Sequence, residues 1–181
     1  MNFPPTPILD RDPTDLPYFQ KGVVVFDRDD TLIEDAGQHA DPNKLVFLPG
    51  ARETINLLNT LDYGVAVASN QSGLESEKFS LSDLNTFSEE LKRQIASEYP
   101  AVIHLMVFCP HLAISECLCR KPKTGLLHTI EASGLGKVIL FVGNSESDEL
   151  AAKLFKVEYI DVNTNEFPSR IMEWAKGNEL R

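Results

Sequence analysis

The chain has 181 residues, 43% of them hydrophobic, which is enough to bury one core and is the size of a single domain. Its 17 Lys+Arg against 27 Asp+Glu give a formal charge of -10, a field that repels phosphate backbones and anionic membranes, so neither nucleic acid nor a membrane is the expected partner. No stretch approaches the roughly 18 apolar residues of a membrane span, and the opening MNFPPTPILDRD has neither a basic nor an apolar targeting region; a cytoplasmic monomer is expected.

In chain order, residues 1–20 carry prolines at 4, 5, 7, 13 and 17 and read as an extended arm lying on a domain that occupies 21–181. Short apolar runs then alternate with segments of helical period. The runs are Val23 to Phe26, Val65 to Ala68, Val102 to Phe108, Val138 to Val142 and Val157 to Ile160. Runs apolar on both faces fit strands of a parallel sheet covered on both sides. Between them Ala51, Ile55, Leu58 and Leu61 fall at helical spacing, as do Leu81, Leu84, Phe87, Leu91 and Ile95. Thr124 to Ser133, Glu146 to Phe155 and Phe167 to Trp174 supply further helices. The order predicts an α/β fold, a doubly wound parallel sheet of about five or more strands with helices on both faces. No large insertion follows the first or second run, so no cap domain is expected, and short loops are left to select the substrate.

Ligands of such sheets gather at the carboxyl ends of the strands. The first run ends in Asp27-Arg28-Asp29-Asp30-Thr31, the second in Ser69-Asn70-Gln71-Ser72-Gly73. The third leads through Cys109-Pro110-His111 to Cys117-Leu118-Cys119-Arg120-Lys121-Pro122, and the fourth ends in Gly143-Asn144-Ser145-Glu146-Ser147-Asp148. Each piece alone is a common turn or cap. Together they form the inventory of phosphoryl transfer, in which an anionic nucleophile must approach an anionic phosphate and cations and fixed donors offset the repulsion. Asp27 with the Asn144 and Asp148 region offers hard oxygen ligands for magnesium. Asp29 is spaced to protonate a leaving oxygen and then activate water, and Ser69 and Lys121 would hold the transferring oxygens.

All three cysteines lie within eleven residues, in the pattern C-x-H-x5-C-x-C formed by Cys109, His111, Cys117 and Cys119. Three thiolates and an imidazole make a closed set suited to structural zinc; the alternative is three buried thiols beside an unrelated histidine. His39 is a further residue that could touch substrate, whereas His104 and His128 read as ordinary strand and helix residues.

A hydrophobic strand followed by D-x-D-x-T resembles the haloacid dehalogenase superfamily of phosphatases over about residues 22–165. That resemblance implies Asp27 as nucleophile and magnesium ligand, and Asp29 as general acid/base that lends its carbonyl to the metal. It implies Ser69 as a phosphate-binding hydroxyl, with Asn70 beside it, Lys121 as the motif lysine, and Asn144 and Asp148 in the metal-binding motif. The serine-asparagine run with the Cys/His pattern resembles, more narrowly, the branch of D-glycero-D-manno-heptose-1,7-bisphosphate 7-phosphatases and histidinol-phosphate phosphatases. There the cysteines and histidine hold zinc and the arginine corresponding to Arg120 grips substrate. The implied activity is hydrolysis of a small phosphomonoester, most simply a sugar phosphate, with histidinol phosphate or a nucleotide as the alternative substrate.

Two positions depart from that pattern. Asn144 stands where an aspartate is usual, and its uncharged amide weakens magnesium binding unless Asp148 or Glu146 compensates. Asp30 replaces a frequent glycine and is expected to add charge beside the reaction centre. Both keep open a reading as a catalytically weakened binding protein.

Overall fold

The structure is a computed structural model that describes residues 6–35, 40–162 and 167–179. Six strands form one sheet: β1 (Ile8–Leu9), β2 (Val23–Phe26), β3 (Gly64–Asn70), β4 (Leu105–Cys109), β5 (Val138–Gly143) and β6 (Glu158–Asp161). Five helices accompany them: α1 (Ala51–Thr60), α2 (Leu81–Glu98), α3 (Gly125–Ala132), α4 (Glu146–Phe155) and α5 (Phe167–Glu179).

The strand order is β1-β4-β3-β2-β5-β6, with β2 to β6 parallel and β1 antiparallel to β4. From the central β2 the chain winds outward through β3 to β4, then returns to β5 on the other side of β2. The order therefore reverses beside β2, and there the loops that follow neighbouring strands diverge to leave a crevice. Alternate strand residues face opposite layers. Val24, Phe26, Val65, Val67 and Met106 pack with Ile55 of α1, Leu84, Phe87 and Leu91 of α2, and Ile171 of α5. Val23, Val25, Ala66, Ala68 and Val107 pack with Leu126 and Ile130 of α3 and Ala151 and Ala152 of α4. This two-sided burial is what the continuous apolar runs encode.

The run Val102 to Phe108 contributes strand only from Leu105 onward. The Val102 amide donates to the Asn59 side chain at 2.6 Å, and Val102 itself is half exposed, so the first part of the run is an apolar loop rather than ladder. The N-terminal stretch, in turn, does more than lie on the surface. Ile8 and Leu9 pair with Phe108 and Val107, and Asp10 accepts from the Met106 amide at 2.8 Å while ion-pairing with Lys92 of α2. A short added strand followed by a charge covers the β4 edge, which otherwise offers unpaired backbone to another chain.

Two helices start at capping boxes. Ser80 and Asp83 close the first turn of α2, and Ser145 and Asp148 close that of α4. Among the described residues, no helix is long and apolar enough to cross a membrane.

Candidate active site

Asp27, Ser69, Cys109 and Asn144 stand at or just past the carboxyl ends of β2, β3, β4 and β5, side by side in the sheet. A crevice of about 180 Å³ lined by Asp27, Asp29, Ser69, Asn70, Lys121, Asn144, Ser145 and Ser147 opens there. Two larger surface grooves among the described residues, one beside Tyr63 and Trp174 and one between Pro42 and Arg93, contain none of these groups.

The Asp27 amide donates to the Val142 carbonyl at 2.8 Å, which extends the β2–β5 ladder by one residue and holds the carboxylate at the crevice floor. Lys121 Nζ is buried between two carboxylates, 2.6 Å from Asp27 Oδ1 and 2.7 Å from Asp148 Oδ1, and donates to the Ala68 carbonyl at 2.9 Å. Burial works against its charge, but Asp27 and then Asp148 outweigh it and hold the ammonium above the usual lysine range. One lysine thus serves two acids. Burial pushes the Asp27 carboxyl up to about 6; Lys121 opposes this, and the charges of Asp148 and Asp29 add to it.

Asp148 is fully buried. Besides meeting Lys121, it accepts from the Asn144 amide at 3.3 Å, the Ser145 amide at 3.1 Å and the Ser145 hydroxyl at 2.7 Å through Oδ2. A Cβ on Gly143 would lie 2.6 Å from the Asp148 Cβ, which explains the glycine before Asn144. These contacts turn the carboxylate toward Lys121 and the helix start. Asn144 lines the crevice and its Oδ1 accepts from the Thr31 hydroxyl at 3.4 Å.

The Asp29 carboxylate is held by Arg28, from Nε at 2.9 Å and Nη2 at 3.0 Å, and by Gln71 Nε2 at 2.8 Å. Gln71 Nε2 also donates to Ser69 Oγ at 2.9 Å. Asn70 spends its amide on the Lys121 backbone, accepting from its N–H at 3.0 Å and donating to its carbonyl at 3.3 Å. Arg120 donates to the His111 carbonyl at 3.0 Å, bracing the cysteine loop. Asp30 is exposed, has a φ of 53°, and accepts from the Asp35 amide at 2.9 Å. The left-handed backbone here suits glycine, and the aspartate occupies it with a short, exposed side chain that bonds locally. His39 lies outside the described residues.

Cys109, His111, Cys117 and Cys119 converge so that their ligand atoms lie within 4.8 Å of one another, a set that could hold a metal ion. His111 Nδ1 is 3.3 Å from Cys119 Sγ and 3.6 Å from Cys109 Sγ, and Cys109 Sγ is 3.2 Å from Cys119 and 3.7 Å from Cys117. Edges near these lengths belong to a tetrahedron with metal–sulfur bonds of about 2.3 Å and metal–nitrogen bonds of about 2.0 Å. Without a cation, contact with Cys119 and burial push the Cys109 thiol up; a bound cation would act in the opposite direction and favour the thiolate. The Arg120 amide lies 3.4 Å from Cys117 Sγ, which ties the cluster to the backbone that delivers Lys121.

Arg28, Gln71 and Thr31 are buried beside the crevice, three residues that the sequence does not mark as part of a site. Their signal is only positional: they sit one or two residues from an obvious candidate, and nothing in the sequence says that their side chains turn inward.

Residues 22–154 match the family model described as polynucleotide kinase 3 phosphatase. The chain is 32% identical over 147 residues to a D-glycero-beta-D-manno-heptose-1,7-bisphosphate 7-phosphatase of Pseudomonas aeruginosa, covering 80% of this chain and 82% of that one. It is 30% identical over 142 residues to the histidine biosynthesis bifunctional protein HisB of Buchnera aphidicola, covering 76% of this chain and 40% of that larger protein. Among solved structures, a D,D-heptose 1.7-bisphosphate phosphatase from B. bronchiseptica, complexed with magnesium and phosphate, superposes with a TM-score of 0.72 at 27% identity, covering 84% of this chain and 86% of that one. The chain therefore belongs to the polynucleotide kinase 3 phosphatase family and is a phosphatase of the haloacid dehalogenase type, from the branch of the heptose bisphosphate and histidinol phosphate enzymes.

Proposed function

We propose that this chain hydrolyses a sugar phosphate of the heptose bisphosphate kind through an aspartyl-phosphate on Asp27, with magnesium required and zinc supporting the fold. The observation that carries the reading is the Asp27 carboxylate at the end of the central strand, 2.6 Å from a buried lysine and beside Ser69 in an open crevice.

The donors fit magnesium: the Asp27 carboxylate, the Asp29 backbone carbonyl and the Asn144 amide oxygen are hard oxygens, and one lysine leaves the surrounding carboxylates undercompensated. Bound there, magnesium supplies positive charge that offsets the repulsion between nucleophile and phosphate. Asp148 is assigned to holding Lys121 rather than to the metal directly, because its oxygens are already committed.

In the first step an Asp27 oxygen attacks phosphorus, the bond to the leaving oxygen breaks with its electron pair going to that oxygen, and Asp29 gives it a proton. In the second step water attacks the phosphorus of the acyl phosphate, its proton passes to Asp29, and the bond to Asp27 breaks to free the carboxylate. Lys121 and the Ser69 hydroxyl hold the equatorial oxygens throughout. Asn70 shapes the site by fixing the Lys121 backbone, and Arg120, on the braced cysteine loop, is the residue we assign to the remote part of the substrate.

Histidinol phosphate is the second substrate reading, favoured by the likeness to the bifunctional histidine enzyme. A polynucleotide 3′-phosphate, named in the family description, fits poorly with a charge of -10. The test is phosphate release from heptose bisphosphate, histidinol phosphate and a 3′-phosphorylated oligonucleotide, with and without magnesium, against Asp27→Asn as blank. Release of the 7-phosphate of heptose bisphosphate above the others is the expected result. No release from any substrate by folded protein would favour a binding role, with Asn144 as its cause.

A further inference from the structure

Arg28 is a buried arginine, 5% exposed, with a single carboxylate neighbour in hydrogen-bonding reach, and that carboxylate is Asp29. Its guanidinium lies over the Phe87 ring at 4.9 Å, and Nη2 also donates to Gln71 Oε1 at 3.0 Å. Nη1 is buried without a hydrogen-bond partner among the described residues. A guanidinium taken out of water normally has all its donors used, because an unsatisfied charged donor is costly. Stability alone would favour an apolar side chain against Phe87.

The contacts are directional. Arginine only donates, so the Gln71 face toward Arg28 must be its carbonyl oxygen, and the amide nitrogen must point the other way. That nitrogen reaches both Asp29 Oδ2 at 2.8 Å and Ser69 Oγ at 2.9 Å. Asp29 Oδ2 accepts from Arg28 Nη2 at 3.0 Å and from Gln71 Nε2, while Oδ1 accepts from Arg28 Nε at 2.9 Å and also lies 2.9 Å from Nη2. Ser69 Oγ, accepting from Gln71, keeps its own proton free to donate.

We propose that Arg28 and Gln71 are positioning residues for Asp29 and Ser69. The planar fork and the Gln71 amide fix the plane of the carboxylate that exchanges protons with the leaving group and with water. The same amide turns the Ser69 hydroxyl into a donor aimed at phosphate. The Asp29 side chain is held from two sides, by its chain neighbour Arg28 and by Gln71 from the loop after β3. Misplacing an acid by about 1 Å costs on the order of 100-fold.

The inference rests on the reading of Asp29 as acid/base, and the experiment separates the two. kcat/KM is measured across aryl, benzyl and alkyl phosphates, whose leaving oxygens range from needing no proton to needing one fully, for wild type, Asp29→Asn, Gln71→Leu, Arg28→Lys and Arg28→Met. Folding is checked by circular dichroism and melting; if Arg28→Met does not fold, the lysine variant, which keeps the charge but loses the fork, and Gln71→Leu decide. The clamp variants are expected to lose about 100-fold on alkyl and benzyl phosphates, mainly in kcat, and within roughly tenfold on p-nitrophenyl phosphate. In the Arg28 variants a uniform loss across the series, or none, with a leaving-group-dependent loss in Asp29→Asn, overturns the clamp alone; Gln71→Leu also releases the Ser69 hydroxyl, so there the loss on alkyl phosphates must exceed that on p-nitrophenyl phosphate. A flat series in Asp29→Asn overturns the acid/base reading and the clamp with it.

Discussion

Asp148 lies 2.7 Å from Lys121 and, through its other oxygen, closes the capping box of α4. One carboxylate thus joins the start of a helix to the site cation, and helix stability and lysine position depend on the same side chain. Asp148→Asn should cost about 2–4 kcal/mol, because a buried charge loses one of its two partners and the cap is weakened. It should also lower kcat. Chemical denaturation with kinetics on the same variant checks both; a normal midpoint would show that the pair contributes nothing.

Asp27 predicts a conflict between stability and activity. Its folded value of about 6 lies above the ordinary 3.8, so folding favours the protonated form. The associated stability is fully present below about pH 4 and is lost as pH rises through 6. In chelator at pH 8, Asp27→Asn should melt a few degrees above wild type, and the gap should close at pH 4. A variant that melts lower at pH 8 would contradict this account.

Zinc should be present at one ion per chain and be lost in Cys117→Ser and Cys119→Ser. Because these ligands bind across the loop that presents Lys121, removal should lower the melting temperature by roughly 10 °C or more and reduce activity even with magnesium in excess. Metal analysis and thermal melting of the variants decide the point; unchanged melting with no zinc would refute the structural role.

Asn144→Asp adds a charge among the proposed magnesium donors. The expected outcome is about a tenfold fall in the magnesium concentration giving half-maximal rate, with a smaller change in the rate at saturation. Magnesium titrations of wild type and variant measure both quantities.

Asp30 should tolerate glycine and reject valine. With φ at 53° the backbone suits glycine, so Asp30→Gly should stay within about 1 kcal/mol of wild type, losing only the bond from the Asp35 amide. Asp30→Val should cost about 1–2 kcal/mol because a branched Cβ crowds that conformation. Equal midpoints for the two variants would show that the turn is not constrained.

The apolar runs at Val23, Val65 and Val138 announced a doubly wound sheet because burial on both faces leaves no room for polar residues, whatever the distant partners. The C-x-H-x5-C-x-C spacing likewise brought its four ligands together through local chain geometry. Both are written in short stretches of sequence. Strand β1 was invisible because two residues form it, and only the β4 edge they cover makes them a strand. The direction in which side chains turn was equally hidden: Asp148 toward Lys121, Asn70 toward a backbone 51 residues away, Arg28 and Gln71 around Asp29. Motif spacing sets which groups reach the crevice, but each has several acceptors or donors in range. Which bond forms is decided by burial and by competition among neighbours from other strands, and that exists only in the folded chain.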